Sequence, residues 1–170
     1  MSLRLRALEP EDAAIMLQWE NDRDGWQYSD TVAPLSGHQV REYIANYDAD
    51  PFSAGQLRQV LTDESGVALG LVDIFDLSAF HAHAFVGLYV ATERRREGLG
   101  RASIELLKEY AFNTLGLRCL AALIYPDNIP SVRLFESVGF KQSGSLPNWR
   151  RKGLTFSDVL LYTLTNNTHH

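Results

Sequence analysis

The chain has 170 residues, of which 45% are hydrophobic and 22% charged, and its formal net charge at pH 7 is −5. These values are ordinary for a globular protein, and the length suits one domain with its own core, which we place at 1–168 with His169 and His170 as a tail of unknown origin. The acidic balance argues against nucleic-acid binding, no apolar run approaches the roughly 20 residues of a membrane span, and the single cysteine, Cys119, favours a reducing cytoplasm.

Hydrophobic periodicity and turn residues predict an α/β domain. In chain order, strands are expected at 3–6, 57–62, 67–77, 85–90, 117–125, 140–145 and 156–165. Helices are expected at 11–20, 38–47, 98–114 and 128–139, and the stretch 21–36 is expected to be a loop. These elements assemble into one mixed, twisted sheet of six to seven strands flanked by about four helices.

The segment 95–101, Arg-Arg-Glu-Gly-Leu-Gly-Arg, lies between a predicted strand and a predicted helix. Gly98 and Gly100 allow the backbone to approach a ligand closely, and the free N–H groups of a helix start attract an anion. Arginines on both sides add positive charge. The segment matches neither a P-loop nor a dinucleotide fingerprint, so it predicts a pyrophosphate site of another kind.

A second segment follows the predicted strand at 117–125. Asn128 is a favourable N-cap, Pro130 fits the first helical turn, and Gly139 is a natural helix stop. The sequence therefore predicts a short helix that is capped at both ends and comes directly after a buried strand.

Together the two segments resemble the Gcn5-related N-acetyltransferase superfamily. Its acetyl-CoA loop has the pattern Gln/Arg-x-x-Gly-x-Gly/Ala, which Arg95, Gly98 and Gly100 match. Its later motif combines Asn-x-x-Ser, Leu-Tyr-Glu and Gly-Phe, matched here by Asn128, Ser131, Leu134, Glu136, Gly139 and Phe140. Both ends of the chain look like the branch that contains ribosomal-protein-alanine and spermidine (diamine) acetyltransferases.

The resemblance implies acetyl transfer from acetyl-CoA to an amine, without a metal. It also implies a V-shaped split between two central strands, in which the pantetheine arm of the donor contacts main-chain groups. The positions that it assigns to the donor are Leu88, Tyr89, Val90, Arg95, Arg96, Gly98, Leu99, Gly100, Arg101, Asn128, Ser131 and Phe135.

Two polar positions of the family pattern are aromatic in this chain. Phe135 stands where the family has a tyrosine acid, and Phe85 stands where it often has a carboxylate on the central strand. Asp73 and Asp76 are therefore candidates for the base, with a solvated strand end as the alternative. Tyr125 is a candidate for the acid, with core packing as the alternative. His81 and His83 lack a third ligand at a suitable spacing, so no metal site is expected.

The N-terminal region combines acidic and aromatic residues, and the resemblance places the acceptor there. The candidates for acceptor binding are Glu20, Trp26, Tyr28, Glu42 and Asp73. Carboxylates and aromatic rings together suit the ammonium groups of a polyamine such as spermidine. A protein N-terminus, an aminoglycoside, or a weakly active acyl-CoA-binding module are alternatives, and a homodimer is possible.

Overall fold

A computed structural model describes residues 2–168, so His169 and His170 lie outside the described residues. Its strands are β1 (Arg4–Arg6), β2 (Leu57–Thr62), β3 (Ala68–Ser78), β4 (His83–Val90), β5 (Cys119–Ile124), β6 (Lys141–Lys152) and β7 (Thr155–Thr165). Its α-helices are α1 (Ala13–Glu20), α2 (Arg23–Trp26), α3 (Gly37–Ala45), α4 (Pro51–Ala54), α5 (Leu99–Glu109) and α6 (Ile129–Ser137). Within the described range, no helix is long and apolar enough to cross a membrane.

The seven strands of the described residues form one sheet in the order β1-β2-β3-β4-β5-β7-β6. Neighbouring strands are antiparallel except for β4 and β5, which are parallel and joined through α5. The expected α/β fold with a mixed sheet is confirmed.

The two parallel strands pair over only three positions. Residues 83–85 of β4 lie opposite residues 119–121 of β5. Beyond this point β4 continues to Val90 and β5 to Ile124 with no ladder between them. The sheet is therefore split at the carboxyl ends of its central strands, as the resemblance implied.

Apolar residues cover both faces of the sheet. On one face, Val86 packs in a cluster with Ile104 and Leu107 of α5 and Phe135 of α6. On the other face, a second cluster joins α1 and α3 to the sheet, and its members include Met16, Trp19, Val40, Val60 and Leu71. Alternation along the strands thus fixes which side chains face each layer of helices.

The expected loop at 21–36 contains the short helix α2, and a second short helix, α4, precedes β2. Each begins at an aspartate whose side chain accepts backbone N–H groups: Asp22 from Asp24, and Asp50 from Phe52 and Ser53. Four-residue helices are too short to show a hydrophobic period, so only their caps mark them. The part of the chain that the structure describes accordingly has six α-helices rather than about four.

Two other boundaries differ from expectation. The helix expected at 98–114 is α-helical over Leu99–Glu109 and ends in a π-helical turn at Tyr110–Thr114. The strand expected at 140–145 extends to Lys152 as β6, which lies at the edge of the sheet. Because most of its residues are exposed, β6 lacks the apolar alternation that identifies a half-buried strand.

Candidate active site

The amino end of α5 lies beside the split, directly after β4. Gly98, its N-cap, has a φ of 77°, and Arg96 has a φ of 70°, so the backbone turns through the left-handed region twice before the helix begins. Gly98 provides no side-chain cap. The first N–H groups of α5 thus receive no acceptor from their N-cap residue, which is the arrangement that binds an anion.

The arginines of the loop differ in their contacts. The Arg94 guanidinium pairs with Glu97, and Arg95 Nε donates to the Val90 carbonyl oxygen at 3.2 Å while its guanidinium lies over the Tyr89 ring. Arg96 and Arg101 are exposed. These two side chains are therefore accessible to phosphate, whereas Arg95, which is exposed as well, is held at the end of β4 by its contacts with Val90 and Tyr89.

The next glycine serves packing. A Cβ added at Gly100 would lie 3.1 Å from Leu134 Cδ2 and 3.6 Å from Leu88 Cδ1. Gly100 thus lets the first turn of α5 approach both α6 and β4. Leu99 is a core residue packed with Leu61 and Leu69, so only its main chain is available to a ligand.

The second motif forms the helix that the sequence predicts. The Asn128 side chain accepts the Ser131 N–H at the start of α6, and Ser131 is half-buried. Phe135 is 3% exposed and meets Phe140 edge to face, with ring centroids 5.0 Å apart. Phe135 is thus part of the core, and it brings no proton donor to the split.

The side chain of Tyr89 lies on the face of the sheet that carries α1 and α3. Its hydroxyl donates to Asp22 at 3.0 Å, and the Thr92 hydroxyl donates to the same carboxylate at 3.2 Å. Burial alone would raise the pKa of Asp22, but these hydrogen bonds and the Asp24 N–H together lower it. Burial, aided by the Asp22 carboxylate, raises the pKa of Tyr89.

Asp73 belongs to an ion network centred on Arg58 and is not a solvated strand end. Its two oxygens accept from Arg58 Nε at 2.7 Å and Arg58 Nη2 at 2.9 Å. Arg58 Nη1 donates to Glu20 at 2.6 Å. Burial alone would lower the pKa of Arg58, but Asp73 and Glu20 raise it well above its ordinary value. A permanently charged guanidinium thus occupies both oxygens of the expected base.

The structure places Asp76 away from the split. It lies in a bulge of β3 between Phe75 and Ser78, has a φ of 47°, and is exposed. Ser78 pairs with His83, at the end where β4 and β5 are joined. Asp76 therefore does not share a site with Asp73, which lies opposite Gly87.

Tyr125 directly follows β5 at the open end of the split and is 5% exposed. Its ring lies 5.9 Å from the ring of Tyr28 and 5.0 Å from the guanidinium of Arg150 on β6. Arg150 in turn lies 3.7 Å from Asp30. We call these four residues, Tyr28, Asp30, Tyr125 and Arg150, the acceptor rim.

The remaining acceptor candidates are distributed over three elements. Trp26 Nε1 donates to the Glu20 carbonyl oxygen, which fixes α2 against the end of α1. Glu42 lies on α3 and pairs with His38 at 3.4 Å, and its element contributes nothing to the acceptor rim. Among residues 2–168, no three His, Cys, Asp or Glu side chains form a group able to hold a metal.

Sequence reasoning missed Arg58 and Arg150. Arg58 is the one charged residue of β2, and a charge on a mostly buried strand is a signal that it has a partner. Arg150 lies in the basic run 150–152, which gives no sign that one of its members turns inward.

Comparison with known proteins identifies the family. Residues 2–141 match the model of the acetyltransferase (GNAT) domain. The N-acetyltransferase p20 of Bacillus licheniformis is 24% identical over 95% of this chain and 92% of its own length. Spermidine N(1)-acetyltransferase of Vibrio cholerae is 26% identical over 85% of this chain and 82% of its own length.

The fold has a similar counterpart among solved structures. The crystal structure of spermidine N-acetyltransferase from Vibrio cholerae, in complex with CoA and spermine, superposes with a TM-score of 0.88 at 24% identity. The match covers 96% of this chain and 95% of that one. With the family match over residues 2–141, the split sheet and the uncapped start of α5, this chain belongs to the acetyltransferase (GNAT) domain family and is an N-acetyltransferase that uses acetyl-CoA.

Proposed function

We propose that this N-acetyltransferase acetylates a primary amine of a polyamine such as spermidine. The observation that carries the proposal is the position of the acceptor rim at the open end of the split, across from the basic loop at 95–101. The segment 20–30 also carries Asp24 and Trp26, while its Glu20 and Asp22 are already engaged with Arg58 and with Tyr89. Carboxylates and ring faces together are the groups that bind ammonium ions. The similarity to a spermidine acetyltransferase supports the same acceptor class.

The residues beside the split fit an acetyl-CoA molecule. The main chain of Leu88, Tyr89 and Val90 lies beyond the last pair of the β4–β5 ladder, on the side where a pantetheine arm would lie. The N–H groups of Leu99, Gly100 and Arg101 begin α5, and exposed Arg96 and Arg101 flank them. When bound, acetyl-CoA supplies an acetyl group activated as a thioester. The thiol that leaves has a pKa of about 8.5.

Tyr125 is the group that we assign to proton donation. It holds a hydroxyl proton at the end of β5, at the open end of the split. Asp73 is engaged with Arg58, and Phe135 has no proton to give. An amine with a pKa of about 10 is mostly protonated at neutral pH, so its proton must also leave, and we assign that step to no single side chain.

The test is CoA release from acetyl-CoA with a panel of amines. The panel contains spermidine, spermine, putrescine, an aminoglycoside, and basic peptides with free N-termini. We expect turnover with the polyamines and little with the other classes. Turnover with a peptide or an aminoglycoside alone would replace the polyamine as the acceptor. Acetyl-CoA binding by calorimetry without turnover on any amine would contradict the proposal.

A further inference from the structure

A bulge in the edge strand turns one arginine toward the split. The register of β6 and β7 shifts between Leu146 and Arg150, so that 147–149 bulge out of the ladder. Asn148 has a φ of 49°, and its N–H donates to Asp158 on β7 at 2.9 Å. Bulges of this kind re-aim the side chains that follow them.

Arg150 is half-buried, whereas every other residue from 147 to 156 is exposed. Its side chain is 20% exposed and Asp30 is 87% exposed, so the pair joins an inward-facing arginine to a surface carboxylate. The guanidinium also lies 5.0 Å from the centre of the Tyr125 ring. The Arg150 guanidinium thus contacts one aromatic and one acidic side chain of the acceptor rim, Tyr125 and Asp30.

Lys152 repeats the arrangement two residues later. Its ammonium group pairs with Asp127, in the loop between β5 and α6. Residues two apart on a strand face the same side and lie about 7 Å apart. The hairpin therefore presents two cations side by side, each paired with a carboxylate from another element at the open end of the split.

We propose that Arg150 is a specificity-determining residue, because its guanidinium occupies the contacts to Tyr125 and Asp30 that an ammonium group of the acceptor uses. The acceptor then binds by displacing Arg150 from both. This inference rests on the proposed polyamine function, since only a cationic acceptor competes with an arginine. It explains why a half-buried cation lies at the entrance of a site for amines.

The test compares three variants with the wild-type protein. Arg150→Gln removes the charge but keeps length and hydrogen bonding, and Arg150→Lys keeps the charge. Arg151→Gln is the matched control, because Arg151 is the next residue of β6, lies over the ring of Phe156 at 4.8 Å, is exposed, and changes the net charge equally. Spermine binding is measured by calorimetry without acetyl-CoA, and KM and kcat are measured for spermidine.

We expect Arg150→Gln to bind spermine about 3- to 10-fold more tightly, which is the range that one exposed ion pair and one cation–π contact would give. Its KM for spermidine falls by a similar factor while kcat changes less than about 2-fold. Arg150→Lys keeps a competing charge and should gain less than Arg150→Gln, and Arg151→Gln stays close to the wild type. A residue with only a structural role would raise KM and lower the urea midpoint instead.

Equal or weaker spermine binding by Arg150→Gln overturns the inference, and so does an equal gain in Arg151→Gln, which would show a general charge effect. If the wild-type enzyme acetylates spermidine while the variant gains nothing, the inference fails and the proposed function stands. If the wild-type enzyme acetylates no polyamine, the proposed function fails and the specificity role of Arg150 fails with it, even where Arg150→Gln binds spermine more tightly. The absence of spermine binding in both proteins overturns the inference.

Discussion

At the residue scale, Arg58 connects α1 to the sheet through two carboxylates. Asp73→Asn removes the negative charge and one of the two oxygens that accept from Arg58 at a half-buried site, so we expect the free energy of unfolding to fall by about 1–3 kcal/mol. We expect kcat to fall less than about 10-fold, because the carboxylate anchors Arg58 rather than removing a proton. Urea unfolding and steady-state kinetics measure the two quantities.

Exposed Asp76 provides the matched control, since Asp76→Asn should change neither quantity. A loss of kcat by about 100-fold or more in Asp73→Asn, with unchanged unfolding, would instead identify Asp73 as the base.

A second residue-scale prediction concerns the hydroxyl of Tyr125. Tyr125→Phe keeps the ring that contacts Tyr28 and Arg150 but removes the proton donor. We expect kcat to fall by about 100-fold while the Kd for acetyl-CoA stays the same. Tyr28→Phe removes a hydroxyl from the exposed neighbouring ring and should leave kcat within a few-fold of the wild type. An unchanged kcat in Tyr125→Phe would place the acid elsewhere.

The pH dependence of stability depends partly on Asp12, which is 5% exposed. Its oxygens accept from Arg6 Nη1 at 2.8 Å, Arg6 Nη2 at 2.9 Å and the Glu9 N–H at 2.8 Å. Burial alone would raise the pKa of Asp12, but these donors outweigh it, and the pKa lies below its usual value. A lowered folded-state pKa stabilises the protein above the unfolded value of about 4, and this contribution is lost as the pH falls through the folded-state pKa.

We therefore expect Asp12→Asn to lower the free energy of unfolding by about 1–2 kcal/mol at pH 7. The difference from the wild type should shrink as the pH falls below about 4, toward the lowered folded-state pKa of Asp12. Urea titrations from about pH 7 to well below pH 4 measure it, with the exposed neighbour Glu11→Gln as control. A difference that does not vary with pH would contradict the assignment.

At the element scale, the turn before α5 depends on the conformation of Gly98. An alanine there has open space around its Cβ, so its cost comes from the left-handed backbone alone. We expect Gly98→Ala to lower the free energy of unfolding by about 1–2 kcal/mol and to raise the KM for acetyl-CoA several-fold, because the first N–H groups of α5 are reoriented.

Gly66, in the turn between β2 and β3, is the matched control. Its φ is 89°, and its Cβ position is equally open. Gly66→Ala should lower stability to a similar extent and leave the KM for acetyl-CoA unchanged. Equal KM values for acetyl-CoA in the two variants would show that Gly98 has no specific part in binding the donor.

At the scale of the whole molecule, the single sheet and the apolar clusters on both of its faces predict one cooperative unit. Trp19 belongs to α1 and is buried, Trp26 lies on α2, and Trp149 on β6 is 61% exposed, so tryptophan fluorescence reports on separate regions. We expect the urea transition measured by fluorescence to coincide with the one measured by far-UV circular dichroism. Two separate transitions would show that the chain unfolds as more than one domain. The homodimer stays a prediction that sedimentation can test.

Features that depend on local chemistry could be predicted from the sequence alone. Gly98 at a left-handed N-cap and Asn128 at a side-chain cap are set by the conformations of residues within one turn, so their positions follow from residue type. The strand at 57–62 matches its predicted bounds because apolar residues are buried along it. The family motif predicted the split, since it describes the elements on both sides of it.

The pairing of charged side chains, in contrast, depends on the fold. Arg58 joins Asp73, 15 residues away, and Glu20, 38 residues away, because strand register and the packing of α1 bring them together. Arg150 reaches Tyr125 because a bulge with no apolar pattern turns an edge strand inward. Such contacts form between distant segments whose relative position is set by the burial of other residues, so the local sequence does not show which residue a charged side chain will pair with.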